Sequence, residues 1–301
     1  MSGVTPAPGN GGQREAEITA TREVWRELGL PGLIDVHTHF MPDNVMRKVW
    51  SYFDDLGEGV WPITYRGDDA ERAELLRAFG VRRFTALNYP HRPDMAEWLN
   101  AWTADFTNRN PDCLRGATFY PERSAATYVA NAIGAGTRVF KAHLQVGDYD
   151  PRDPQLTDVW GALAESGIPV VVHCGSGPHG GRFTGPEPFA DVLKEHPRLT
   201  AVIAHFGSPE YTEFMDLAER YERVHLDTTM VFTRFTERST PFPTAELPRL
   251  RRLRDKILLG TDFPNIPHRY VEQLHALRDV APDDDWLRAV LHDNAARLFN
   301  T

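Results

Sequence analysis

The chain has 301 residues, of which 41% are hydrophobic and 25% are charged, so it can bury a large core and is not of the disordered type. Its net charge of -9, without a Lys-rich block, argues against a nucleic-acid partner, and no apolar run reaches the roughly 18 residues that a membrane span needs. The two cysteines, Cys113 and Cys174, are too few for a disulfide framework, and the N-terminus lacks a secretory signal, so we expect a cytoplasmic protein.

In chain order, residues 1–16 predict a flexible tail, and residues 18–28 predict a short helix. The apolar, partly branched residues from 33 onward predict a buried strand that ends in a histidine pair. The long segment 41–66 then holds five aromatic residues and is predicted as an insertion after this strand. These aromatic side chains either line a pocket or form a small satellite core.

From residue 68 onward, predicted helices and strands alternate to the end of the chain. Runs such as Val-Val-Val at 170–172 and Ala-Val-Ile-Ala at 201–204 are typical of parallel strands buried on both faces. Eight strands, each followed by a helix, over about 270 residues match the size of a (β/α)8 barrel. An open doubly wound sheet is the alternative, but no glycine-rich phosphate loop follows the first strand. The first predicted strand starts at residue 33. The other seven span residues 81–87, 114–119, 138–143, 168–173, 199–205, 224–228 and 256–261.

We therefore predict an α/β protein, a (β/α)8 TIM barrel with an insertion after strand 1. The barrel forms a single domain over residues 17–301, and residues 1–16 form the flexible N-terminal tail.

The first predicted strand ends in His37 and His39. Side chains two residues apart share a face on a strand, whereas on a helix they lie roughly 200° apart. The two imidazoles can therefore bind one metal ion only if this stretch is extended. A pair of histidines alone is a weak signal, because one core and one surface histidine would give the same sequence.

Four further predicted strands also end in polar side chains. Lys141 and His143 lie at the C-terminal end of the fourth strand, His173 at the end of the fifth, His205 at the end of the sixth and Asp262 at the end of the eighth. In a barrel, the C-terminal ends of all strands meet at one mouth, where active sites lie. Neutral imidazoles and a carboxylate that meet there predict a site for a divalent metal ion.

The same stretches resemble the amidohydrolase superfamily, specifically its amidohydrolase-2 branch of metal-dependent TIM-barrel hydrolases and decarboxylases. The resemblance covers roughly residues 32 to 300. It rests on Ile34-Asp35-Val36-His37-Thr38-His39, Val139-Phe140-Lys141-Ala142-His143, Pro169-Val170-Val171-Val172-His173, Ile203-Ala204-His205-Phe206-Gly207, Leu259-Gly260-Thr261-Asp262-Phe263-Pro264 and the closing stretch 293–299.

By this resemblance, His37, His39, His173 and Asp262 would hold a divalent ion, zinc by preference and manganese as the alternative. Asp262 would also move the proton, and His205 would lie beside the water or the substrate.

Two roles are possible for each of Lys141, His143 and Arg182. Lys141 is either an ammonium group at the mouth or a carboxylated lysine that bridges two metal ions, and we favour the former. His143 and Arg182 either contact the substrate or have loop and surface roles.

The resemblance implies an enzyme, and the leading hypothesis is hydrolysis of a small ester, lactone or amide by metal-activated water. Non-oxidative decarboxylation of an aromatic or enoic acid is the second hypothesis, and a catalytically inert binding barrel is the third. The expected partner is a small-molecule substrate, with no nucleic acid and no membrane, and a homo-oligomer stays open.

Overall fold

The computed structural model describes residues 10–301, and all of its paired strands are parallel. The first run of paired strands contains β1 to β3, and the second contains β4 to β9. The strands are β1 Leu33–Asp35, β2 Val81–Thr85, β3 Cys113–Leu114, β4 Gly116–Thr118, β5 Val139–His143, β6 Val170–His173, β7 Ala201–Ile203, β8 Val224–Asp227 and β9 Ile257–Leu258.

The two runs of strands close into one barrel. β3 and β4 are pieces of a single strand interrupted at Arg115, whose carbonyl accepts a hydrogen bond from the Arg138 amide at 2.7 Å. At the other seam, the Val36 amide donates to the Leu259 carbonyl at 2.9 Å and so joins β1 to the chain after β9. The nine short strands thus correspond to the eight predicted ones, and the predicted (β/α)8 barrel is confirmed.

Helices follow the strands around the barrel. They are α1 Asn10–Glu27, α2 Asp43–Asp55, α3 Asp69–Phe79, α4 Ala96–Arg109, α5 Ala125–Gly134, α6 Leu144–Gly147, α7 Thr157–Ser166, α8 Pro186–Glu195, α9 Tyr211–Arg220, α10 Leu247–Arg252, α11 Tyr270–Val280, α12 Asp284–Arg288 and α13 Asn294–Phe299. The final helix predicted from the sequence is interrupted by a π-helical turn, Ala289–Asp293. There the Val290 carbonyl accepts a hydrogen bond from the Leu259 amide, which ties this turn to the barrel.

Helix α1 corrects the predicted boundary of the N-terminal tail. It begins at Asn10, so residues 10–16 are helical, while residues 1–9 of the predicted tail lie outside the described residues. A tertiary contact anchors this first half of α1: Glu17 is buried, and its carboxylate accepts hydrogen bonds from the Tyr65 hydroxyl and the Tyr270 amide. Local sequence cannot reveal such contacts, because their partners lie far along the chain.

The barrel interior is apolar at its N-terminal end and polar at its C-terminal end. Ile34, Val171 and Leu258 belong to a cluster that also includes Phe299 of α13, and Arg138 donates a hydrogen bond to the Phe299 carbonyl. Since Arg138 precedes β5, α13 closes the N-terminal end of the barrel. The opposite end, where the strands finish, remains open for the site.

Candidate metal centre

Three of the predicted metal ligands meet at the C-terminal mouth of the barrel. One donor atom each from His37, His39 and Asp262 lies within 4.8 Å of the other two. His37 and His39 follow β1, and Asp262 follows β9, which is the neighbour of β1 across the barrel seam. Close approach of the two segments needs Gly260, because a Cβ atom there would lie 2.9 Å from the His37 Cβ.

The orientation of both imidazoles is set by their Nδ1 atoms. His37 Nδ1 lies 2.8 Å from Oδ2 of Asp227, a fully buried carboxylate at the end of β8. His39 Nδ1 lies 2.7 Å from the Leu87 carbonyl. Both nitrogens therefore donate a hydrogen bond, which leaves Nε2 of each ring turned toward the site.

The two Nε2 atoms face the Asp262 carboxylate. The distance to Oδ1 of Asp262 is 2.8 Å from His39 and 3.5 Å from His37. A ring nitrogen and a carboxylate oxygen at such a distance share a proton when no metal ion is bound, and a divalent cation bound by both would take the place of that proton. Neutral imidazole and carboxylate are also the ligands that zinc and manganese accept. The donor set therefore fits a metal ion.

Protonation supports the same conclusion. Burial is the main cause that lowers the pKa of His37 to about 3, with a contribution from nearby Lys141, so this imidazole is neutral near pH 7. Burial alone would raise the pKa of Asp262, but the hydrogen bond with His39 and the nearby histidines outweigh it and hold the pKa well below its usual value. His37 thus offers a neutral nitrogen donor, and Asp262 offers an ionised oxygen donor.

Asp227 is a site residue that the sequence reasoning missed. Besides His37, its carboxylate accepts hydrogen bonds from the backbone amides of His205 at 2.8 Å and Thr229 at 3.1 Å. It thus joins the ends of β1, β7 and β8 through a single side chain. The available signal was its position, because Asp227 is a polar residue directly at the end of an apolar strand, like the residues that were selected.

His205 and Asp262 both have backbone conformations that non-glycine residues rarely adopt, with φ of 55° and 74°. Such conformations cost about 1–3 kcal/mol and often occur at functional sites. The Asp262 amide donates to the His37 carbonyl at 2.8 Å, and Asp227 holds the His205 amide, so neighbouring residues stabilise both strained positions. The ring of His205 lies 5.2 Å from that of His37 and 4.8 Å from that of His173.

The profile of the amidohydrolase family matches residues 34–301, which include every residue of the site described above. The chain belongs to the amidohydrolase family. The predicted family is therefore confirmed, and so is the prediction that the protein is an enzyme. The family is metal-dependent. Comparison with curated proteins finds no match.

Solved structures share the fold of this amidohydrolase at low sequence identity. An uncharacterised TIM-barrel protein from Bordetella bronchiseptica aligns with a TM-score of 0.72 at 19% identity, over 89% of this chain and 98% of its own. A probable 2-pyrone-4,6-dicarboxylic acid hydrolase from Acinetobacter baumannii, solved with citric acid, aligns with a TM-score of 0.59 at 13% identity, over 90% and 100% of the two chains.

A third structure is 5-carboxyvanillate decarboxylase from Novosphingobium aromaticivorans, complexed with manganese and 4-hydroxy-3-methoxy-5-nitrobenzoic acid. It aligns with a TM-score of 0.61 at 15% identity, over 91% of this chain and 97% of its own. Hydrolases and decarboxylases thus both occur on this fold, so the fold alone does not identify the reaction.

Lys141 lies inside the site of this amidohydrolase. It is fully buried, and its Nζ lies 3.2 Å from Nε2 of His37. Burial lowers the pKa of Lys141 to about 8, although Asp227 and Asp262 oppose the shift.

His173 stands apart from the group of three. Its Nε2 lies 3.1 Å from the Gly177 carbonyl and donates to it, so the free lone pair is on Nδ1. His143 stacks on this ring at 4.1 Å. The His143 Nδ1 accepts a hydrogen bond from the Val146 amide at 3.3 Å, so its Nε2 carries the proton and can donate. Burial lowers the pKa of both rings well below the usual value, and both are neutral.

A cavity of about 1520 Å³ opens above these side chains. Its lining includes His37, His39, Lys141, His143, His173, His205 and Asp262, so all but one of the predicted site residues share one space. The exception is Arg182, whose guanidinium group stacks over Phe183 and does not line the cavity. Within residues 10–301, no helix combines the length and the apolar character that crossing a membrane requires.

Proposed function

We propose that this amidohydrolase is a metal-dependent hydrolase of an ester, lactone or amide. The observation that carries the proposal is the group of His37, His39 and ionised Asp262 at the floor of a deep cavity. These three residues would hold one divalent ion, zinc or manganese. His173 would join them as the fourth ligand through Nδ1, because its Nε2 donates to the Gly177 carbonyl. When bound, such an ion polarises a carbonyl oxygen and lowers the pKa of water toward neutrality.

The side chains around this group supply the remaining chemistry. Asp262 is ionised and can take the proton of the attacking water and later return it to the leaving group. His143 carries its proton on Nε2 and, being neutral, can donate a hydrogen bond to a substrate oxygen without adding charge. His205 lines the same cavity and can donate to the oxygen on which negative charge develops.

Decarboxylation of an aromatic or enoic acid is the second candidate. Aromatic side chains above the floor favour it, because Trp61 stacks on Phe53 at 4.9 Å and contacts Phe235 edge to face, and all three line the cavity. The similarity to a manganese-bound decarboxylase of an aromatic acid supports the same candidate.

A screen of metal-loaded protein separates these candidates. We would test lactones, esters, amides and aromatic acids with zinc or manganese, in water enriched in oxygen-18, and with a strong chelator as the control. Hydrolysis incorporates one labelled oxygen into the product acid, whereas decarboxylation releases carbon dioxide without that label in the organic product. Full activity in chelator, without bound metal, would refute the metal-dependent proposal. Bound metal without turnover of any class would favour the inert binding barrel.

A further inference from the structure

The exposed apolar side chains of this protein are concentrated at the entrance of the cavity. Among residues 10–301, the exposed large hydrophobic residues are Tyr52 at 53%, Val60 at 51%, Trp98 at 44% and Val146 at 43%. All four line the cavity. Single exposed apolar residues are normal on a protein surface, but four that all line one cavity mark its opening as a binding site. We call these four residues the rim.

Helix α2 adds a continuous apolar surface below the rim. Val45, Val49, Tyr52 and Phe53, together with Leu56 at the C-cap, recur at the spacing that places side chains on one helix face, and all of them line the cavity. Such a face normally packs on the core of the protein. In α2, Met46 is the one fully buried residue, so the apolar face borders the cavity and does not pack on the core.

The cavity is also larger than a small substrate requires. At about 1520 Å³, it exceeds the roughly 300–1,000 Å³ that is usual for small-molecule sites. The polar groups that perform the proposed reaction are at its floor, whereas the α2 face and the rim form its outer part. A compact carbonyl compound at the floor would leave these apolar surfaces in water, which is unfavourable.

We infer that the substrate is amphiphilic, with a carbonyl head group at the floor and a hydrocarbon tail in the outer part of the cavity. This inference rests on the proposed hydrolase function and specifies its substrate class. Lys48 also lines the outer part, and its aliphatic stem can pack along a hydrocarbon while its charge remains in water. A second copy of this chain is the competing occupant, but the apolar lining continues inward to the reactive floor, as a substrate site requires.

The first test measures hydrolysis of γ-lactones whose alkyl side chain grows from methyl to heptyl. We expect kcat/KM to rise about fourfold for each methylene, the value for burying one CH₂ group. In the double variant Tyr52→Ser, Trp98→Ser, the rise in kcat/KM for each methylene should fall below about twofold. Arg47→Ser, on the outer face of α2, is the matched control and should keep the full dependence.

The second test measures binding without turnover. The probes are n-alkyl carboxylates from butanoate to decanoate, titrated by calorimetry into the manganese-loaded protein. The Kd should fall with chain length in the wild type and in Arg47→Ser, but hardly at all in the double variant. This pattern without lactone hydrolysis would support the amphiphilic site and refute lactone hydrolysis, so the two hypotheses fail separately.

Two results would overturn the inference. One is equal kcat/KM and equal Kd across the two series in the wild type. The other is a wild-type dimer that the double variant converts to a monomer in analytical ultracentrifugation, because the rim would then be covered by a second copy. If the wild-type protein and the double variant have the same mass in analytical ultracentrifugation, the result supports the substrate as the occupant of the outer cavity.

Discussion

Replacing Asp227 with asparagine should weaken metal binding without unfolding the protein. The carboxylate of Asp227 accepts three hydrogen bonds, from His37 Nδ1 and from the amides of His205 and Thr229. Asparagine has one oxygen acceptor and one NH₂ donor in place of two oxygens. If the asparagine oxygen still accepts the hydrogen bonds from the His205 and Thr229 amides, the NH₂ group faces Nδ1 of His37. Nδ1 must then accept a hydrogen bond and cannot carry the ring proton. The ring proton then moves to Nε2, and His37 cannot bind a metal ion through that atom.

The expected size of this effect follows from the role of Asp227. Losing a partner that orients a metal-bound histidine typically costs about 10–100-fold in metal affinity. Stability should change little in Asp227→Asn, because the buried amides of His205 and Thr229 keep an acceptor. Asp227→Ala would leave both amides and the His37 N–H buried without partners, at about 1–3 kcal/mol each, and should destabilise the fold by roughly 3 kcal/mol or more.

The assay is a competition titration of zinc or manganese against a chelator, with urea unfolding in parallel. Nitrogen-15 chemical shifts of the His37 ring would report the move of the proton from Nδ1 to Nε2. The control is Asp112→Asn, which removes a partly buried carboxylate that pairs with Arg77. Unchanged metal affinity in Asp227→Asn, together with an unchanged His37 proton, would refute the reasoning.

Three further predictions concern turnover, metal content and acid stability. Asp262→Asn should lower turnover by about 10²–10⁴-fold and metal content much less, as kinetics and elemental analysis would show, and near-native turnover would place the base elsewhere. His205→Ala should keep one metal equivalent and lose about 10²–10³-fold in turnover, and Lys141→Ala should also keep one equivalent. Two equivalents in the wild type and one in each variant would instead support a carboxylated Lys141. The wild-type protein should lose unfolding free energy between pH 7 and pH 5, and His225→Gln should lose about 2 kcal/mol less, as urea titrations at both pH values would show. An equal loss in the two proteins would contradict this prediction. Wild-type stability falls with pH because burial lowers the pKa of His225 from 6.5 to about 4. Between these two pH values, His225 binds a proton in the unfolded chain but not in the folded chain.

The residues that meet at the mouth were predictable because they obey a local rule. A strand buried on both faces is a run of apolar residues, and a polar residue at its end stands out in the sequence. His37, His39, Lys141 and Asp262 all have this signature, and the structure brings them together. Asp227 has it too but was not selected, because one aspartate after a short strand does not by itself suggest a function.

The arrangement of protons in the site was not predictable from the sequence. Whether Nδ1 or Nε2 of a histidine carries the proton depends on its partner, and His37 and Asp227 are 190 positions apart in the chain. His173 donates from Nε2 to the Gly177 carbonyl, and Arg182 stacks on Phe183 outside the cavity. Both contacts depend on the path of the loop after β6, which the sequence did not reveal. The end of the predicted tail was misplaced for a related reason, because residues far along the chain anchor Glu17 of α1.

The sequence by itself determined the alternation of strands and helices, the barrel and the polar ends of its strands, because periodicity and burial act along the chain. The aromatic insertion after β1 shows where that information ends. Its apolar spacing is visible in the sequence, but spacing shows only that one face is apolar. Only the tertiary structure decided that Val45, Val49 and Tyr52 face a cavity and not the core, because that depends on where the barrel mouth lies relative to α2.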